Sequence, residues 1–235
     1  MNLLNAGVFF SINALWKNKI AVLVGDYLLS KGLLLSLNNN DYKVLQILSE
    51  AVKLMSEGEL LQIEKARNLN LDENIYYDII KGKTASLLSS ACAAGAATTF
   101  SDNLYIKKMQ QFGEKIGMAF QIKDDLFDYN AKNIGKPTGI DIREKKLTLP
   151  VIYTLAHCDR SLRKKIIYII KNESKNKDKV NFVIDAVRAN GGIEYATGKM
   201  LSFRDEALQL LHEFEISETR DALEDLVRFT TDREY

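Results

Sequence analysis

The sequence predicts an all-α domain, and three observations carry that reading. Only Pro137 and Pro150 interrupt 235 residues as prolines, so long helices are permitted almost everywhere. Apolar residues recur at helical spacing in segment after segment, and no stretch alternates with the period of a strand. The chain is 46% apolar with 32 basic and 31 acidic residues, enough to bury one core in a single domain spanning 1–235.

The elements follow in order. A first helix is expected over Ile12–Leu37 and stops at the polar run Asn38-Asn39-Asn40. Tyr42–Ala66 forms the next, up to a break at Asn68–Asp72, and Ile75–Thr99 the third. Small residues crowd Ser89–Thr99, as in a helix packed tightly against a neighbour. Beyond Ser101–Asn103 the pattern resumes over Leu104–Tyr129, then lapses across Asn130–Lys146. Thr148–His157 and Val180–Ala189 are helical, with a polar run at Asn172–Lys179 before the second. After Asn190-Gly191-Gly192 come Ile193–Phe214 and Thr219–Phe229. No internal repeat emerges, which disfavours a solenoid. A net charge of +1 offers no global attraction to nucleic acid or an anionic membrane. Cys92 and Cys158 lack metal-type spacing and read as packing residues in a cytoplasmic protein. No membrane span is expected, because Asp26 and Lys31 interrupt Ile20–Leu37 and Leu87–Phe100 is too short.

The chemistry concentrates in AFQIKDDLFDYN, residues 119–130, where three aspartates and a glutamine stand beside buried-type apolar residues. An unpaired carboxylate is costly to bury, so the acids face water or share a cation. On a helix, with Asp124 at the origin, Gly117, Asp128, Gln121 and Asp125 fall at about 20°, 40°, 60° and 100°, on one face. Gly117 would leave space above the carboxylates and so implies a pocket. A solvated helix face explains the same spacing about as well. The company of the trio tips the balance: GKPTGID (135–141) follows on a loop, and REKKLTLP (143–150) brings basic residues next to it. Lys136 and Lys146 are thereby placed near the acids. Aspartates with nearby lysines suit Mg²⁺ carrying a polyphosphate, since Mg²⁺ shares its shell with substrate phosphates. Lys83-Thr84 is not a nucleotide-binding P-loop, because Tyr77 stands where that motif has its first glycine and no strand precedes it. Lys83 is either a solvated helix lysine or a phosphate-binding cation.

Together, SINALWKNKIAVLVGDYLLSKGL (11–33), MSEGELLQ (55–62), KTASLLSSACAAGA (83–96), FQIKDDLFD (120–128), GKPTGID (135–141) and KLTLP (146–150) closely resemble the trans-type polyprenyl diphosphate synthases from about Ser11 onward. The resemblance implies an isoprenoid-synthase-type helical bundle around a central cavity, commonly a homodimer. It also implies Mg²⁺-dependent prenyl transfer from an allylic diphosphate to isopentenyl diphosphate. Asp124, Asp125 and Asp128 match the second aspartate-rich motif of such enzymes and are the expected metal ligands. Asp124 is expected to bind directly, and Asp128 directly or through water. Lys83, Thr84, Gln121, Lys136 and Lys146 match positions that contact diphosphate, with Lys83 counted among the catalytic set.

The first aspartate-rich motif of the family, an acid cluster followed by paired arginines, would lie upstream of FFSINALW, where this chain reads MNLLNAGVFF. The sequence therefore reads as a form lacking the N-terminal helices. Extension by this form is expected to fall at least about a thousandfold below a complete enzyme. The alternative is a non-catalytic Mg-diphosphate-binding or regulatory subunit that pairs with a complete synthase.

Overall fold

In the computed structural model, residues 17–68, 72–100, 102–129 and 138–233 are described, and all regular structure among them is helical. In chain order the elements are α1 (Lys17–Asn38), α2 (Tyr42–Asn68), α3 (Glu73–Ile80), a π-helical turn (Lys81–Ala85), α4 (Ser86–Ala97) and α5 (Asn103–Phe127). Then come α6 (Ile140–Arg143), α7 (Leu149–His157), α8 (Arg160–Asn172), α9 (Lys177–Ala189), α10 (Gly192–His212) and α11 (Glu218–Asp232). The chain divides into two compact units, Met1–Gln46 and Ile47–Tyr235.

In the first unit, α1 ends in a turn at Asn40, whose φ of 60° is one that asparagine tolerates. Its leucines are exposed: Leu23, Leu28 and Leu35 keep 64%, 61% and 63% of their surface. By length and composition Lys19–Asn38 is apolar enough to cross a membrane, so Asp26 and Lys31 do not interrupt it as decisively as the sequence reading assumed.

The second unit is organised around α5, which packs against α4, the π-helical turn, α10 and α11. Its approach to the preceding segment is close because two glycines face it. A Cβ on Gly117 would lie 2.5 Å from the Cα of Ala85, and one on Gly113 would lie 2.5 Å from the Leu88 carbonyl. Small residues reciprocate from α4, where Ser89, Ser90, Ala93 and Ala96 are buried. The main core gathers Ile122 and Leu126 of α5 with Val151, Ile166, Ile170, Val183 and Val187 from α7, α8 and α9. Helix starts are fixed locally: Asp72, Asp102, Asp159, Asn176 and Ser217 each accept a hydrogen bond from a backbone N–H of the first turn. Pro150 occupies the first turn of α7, where its missing N–H costs nothing.

Two differences from the sequence reading stand out. The expected helix Ile75–Thr99 is interrupted by the π turn, and α8 occupies 160–172, where no helix was placed. In α8, Ile166, Ile169 and Ile170 keep helical spacing, but four cationic residues among the first six dilute the signal.

Candidate active site

The π turn and α5 hold the centre of the site. One extra residue per turn at Lys81–Ala85 widens the helix, as such insertions do at functional sites. The turn carries Lys83 and Thr84 beside an open cleft of about 630 Å³. Gly82 and Gly58 meet there, a Cβ on Gly58 falling 2.5 Å from the Lys83 nitrogen, so α2 crosses the turn backbone to backbone. Lys83 extends to α2, where its Nζ donates to Gln62 Oε1 at 3.0 Å and pairs with Glu59 at 2.7 Å.

From Thr84 a chain of hydrogen bonds runs inward. Thr84 Oγ1 donates to Gln121 Oε1 at 2.8 Å, Gln121 Nε2 donates to Asp125 Oδ1 at 2.9 Å, and the Tyr76 hydroxyl donates to Asp125 Oδ2 at 2.7 Å. Asp125 is buried, and that burial pushes its carboxyl up to about 7 against the opposing pull of the Tyr76 and Gln121 donors. Opposite, Asp141 and Lys146 line the same cleft. Burial, and after it the Asp128 charge, pushes Asp141 up to about 6. Lys146 lies 3.8 Å from Asp141 and 2.5 Å from Glu144.

The structure thus brings together Lys83, Thr84, Gln121, Asp125 and Lys146 of the sequence-predicted set. Lys136 lies outside the described residues. The single face expected for the acids divides in three. Asp125 turns to the cleft, whereas Asp124 pairs with Arg233, which stacks on Phe120 and Phe127 at 4.5 and 5.3 Å. Asp128 follows the last residue of α5 and accepts from the backbone N–H groups of Ile140 and Asp141 at 2.7 and 3.1 Å. That interaction seats the loop carrying Asp141. Gly117 is not the pocket wall that the helix geometry implied, since Ala85 fills the space beside it. Sequence reasoning missed Tyr76, Gln62, Glu59 and Asp141. Gln62, Glu59 and Asp141 stood inside motifs already singled out, but Tyr76 had no motif around it.

Among the described residues no three carboxylate, histidine or cysteine side chains converge as a preformed metal site. Both oxygens of Asp125 and both of Asp128 accept internal hydrogen bonds, while the Asp124 side chain retains 39% exposure. One or two accessible carboxylates suffice for Mg²⁺ that brings its remaining ligands as water and phosphate. The oxygen donors here fit an ion that arrives with a diphosphate.

Among the described residues there is no strand, and the helical domain, with acids at the end of one helix and lysines across a cleft, has the all-α isoprenyl-synthase fold. The decaprenyl diphosphate synthase of Rhodobacter capsulatus superposes with a TM-score of 0.88 at 34% identity, over 95% of this chain and 69% of that one. A polyprenyl synthase of Caulobacter crescentus CB15, solved with calcium and isoprenyl diphosphate, gives a TM-score of 0.86 at 30% identity, over 95% and 69%. The chain belongs to the polyprenyl synthetase family, whose sequence model matches residues 10–187. The geranylgeranyl diphosphate synthase of Saccharolobus solfataricus is 30% identical over 234 residues, 95% of this chain and 70% of that enzyme. Members of the family are prenyltransferases that build polyprenyl diphosphates from allylic and isopentenyl diphosphates.

Proposed function

We propose that the cleft binds the diphosphate of an allylic substrate and that the chain, as a homodimer, extends it with isopentenyl diphosphate. The observation that carries this reading is the meeting of Lys83 and Lys146, from separate elements, beside the buried Asp125 and the half-buried Asp141 in one cleft. Neither lysine needs to move far, because each is held by acids that a diphosphate can replace: Glu59 for Lys83, and Glu144 with Asp141 for Lys146. Lys136 is assigned to the same diphosphate on its sequence match. Asp124 would hold Mg²⁺, with Asp125 and Asp128 shaping the ground around it, and the ion would supply charge stabilisation to the departing diphosphate. The lysines contribute the same kind of stabilisation as negative charge develops on the leaving group.

A radiolabelled extension assay with Mg²⁺ tests the proposal. Extension products should form, and Lys83→Ala and Lys146→Ala should each lower kcat/KM about a hundredfold. Neither product formation nor Mg²⁺-dependent binding of an allylic diphosphate analogue by the parent chain would overturn it.

A further inference from the structure

We propose that Tyr76 is a positioning residue of this cleft: through Asp125 it fixes the side-chain amide of Gln121 and, with it, the direction of the Thr84 hydroxyl. The inference rests on the diphosphate-binding reading above, but the geometry that carries it is independent of any ligand. Tyr76 retains 4% of its surface and Asp125 7%, so water competes little for either group. Asp125 accepts at both oxygens, from Tyr76 at 2.7 Å and from Gln121 at 2.9 Å.

Both oxygens of Asp125 act as acceptors here, one for the Tyr76 hydroxyl and one for Gln121, so the Gln121 group facing it is the NH₂. Gln121 Oε1 then points the other way, where only a donor is satisfied, and Thr84 Oγ1 meets it at 2.8 Å. Each step removes one choice from the next group. With the Thr84 proton committed inward, its oxygen lone pairs are left to the cleft that Thr84, Gln121 and Asp125 all line. Without the tyrosine hydroxyl, Asp125 keeps one partner, its carboxylate can rotate, and the amide of Gln121 has no reason to prefer either orientation. Tyr76 touches no reacting atom in this arrangement. Its effect travels through a carboxylate and an amide.

The readout of orientation is hydrogen exchange at the Gln121 side-chain amide, observed by NMR in the ligand-free full chain and assigned by its loss in Gln121→Glu. In the parent this amide should be protected. In Tyr76→Phe its protection should fall at least about tenfold while backbone amides of α5 keep theirs, as expected when a hydrogen bond to the buried Asp125 carboxyl is lost. Asp125→Asn, whose single acceptor oxygen cannot serve both donors, should do the same. It keeps the question answerable if Tyr76→Phe folds poorly. Tyr129→Phe is the control: it removes another buried hydroxyl, the partner of Thr148 at 2.8 Å, and should leave Gln121 protected.

In parallel, calorimetry with a thio-linked allylic diphosphate and Mg²⁺ should show about tenfold weaker binding in Tyr76→Phe and unchanged binding in Tyr129→Phe. Unaltered Gln121 exchange in Tyr76→Phe, or equal loss in Tyr129→Phe, would overturn the inference. Altered exchange with no analogue binding by the parent would uphold the positioning role and instead defeat the diphosphate reading.

Discussion

Asp125 is the carboxylate whose charge the fold decides most strongly. Its ordinary value of 3.8 is pushed up to about 7 by burial, so between those values the folded chain holds a proton that the unfolded chain has released. Raising the pH through that window therefore costs stability, by at most about 1.4 kcal/mol per pH unit, and the loss levels off above it. Asp141, pushed up to about 6 by burial, adds a contribution of the same sign. Urea midpoints of the ligand-free chain should fall between pH 5 and pH 7, and Asp125→Asn should flatten that fall. An equal slope in the variant would show that Asp125 is ionised throughout. At Asp124 the expectation concerns binding: Asp124→Ala should abolish Mg²⁺-dependent affinity for an allylic diphosphate analogue in calorimetry, because two of its neighbours already spend their oxygens internally. Lys83, Thr84, Gln121, Asp125 and Lys146 were legible in the sequence because charged and amide residues recur there in short motifs. Tyr76 was not, since its hydroxyl meets Asp125 from 49 residues away and a tyrosine on an apolar helix reads as core. The diversion of Asp128 to the loop was equally hidden, because helical geometry does not say where a helix ends.

At the scale of elements, the close approach of α5 to the π turn makes a sharp prediction about glycine. Gly117→Ala should destabilise by about 1–3 kcal/mol, because its Cβ would lie 2.5 Å from the Ala85 Cα and backbone must shift. Gly95→Ala in α4 meets nothing within 4 Å and should stabilise by about 0.5–1 kcal/mol through helix propensity alone. Chemical denaturation of both variants decides it, and equal signs would contradict the packing described. Most helices could be read from apolar spacing because each buries one stripe against the core. The π turn could not, since its widened geometry is a tertiary compromise with α2 and α5 that leaves no mark in the pattern of apolar residues. Its consequence for the site was nevertheless visible as the KT pair it carries.

On the scale of the whole molecule, the all-α class was legible, while the exposure of the leucines of α1 was not. A helix rich in leucine reads as buried, yet Leu23, Leu28 and Leu35 stay more than half exposed. Apolar surface of this extent drives association. Sedimentation of the parent chain should reveal a dimer, and Leu28→Asp combined with Leu35→Asp should shift it toward monomer; a monomeric parent would remove the homodimer from the proposal. The pair between Arg233 and Asp124 joins positions 109 residues apart, whereas the cleft is lined from residues 62 to 148. During ribosomal synthesis, every cleft-lining side chain therefore emerges before the guanidinium that engages Asp124. A nascent chain halted before α11 already has all the residues that line the cleft, while its Asp124 has yet to meet Arg233.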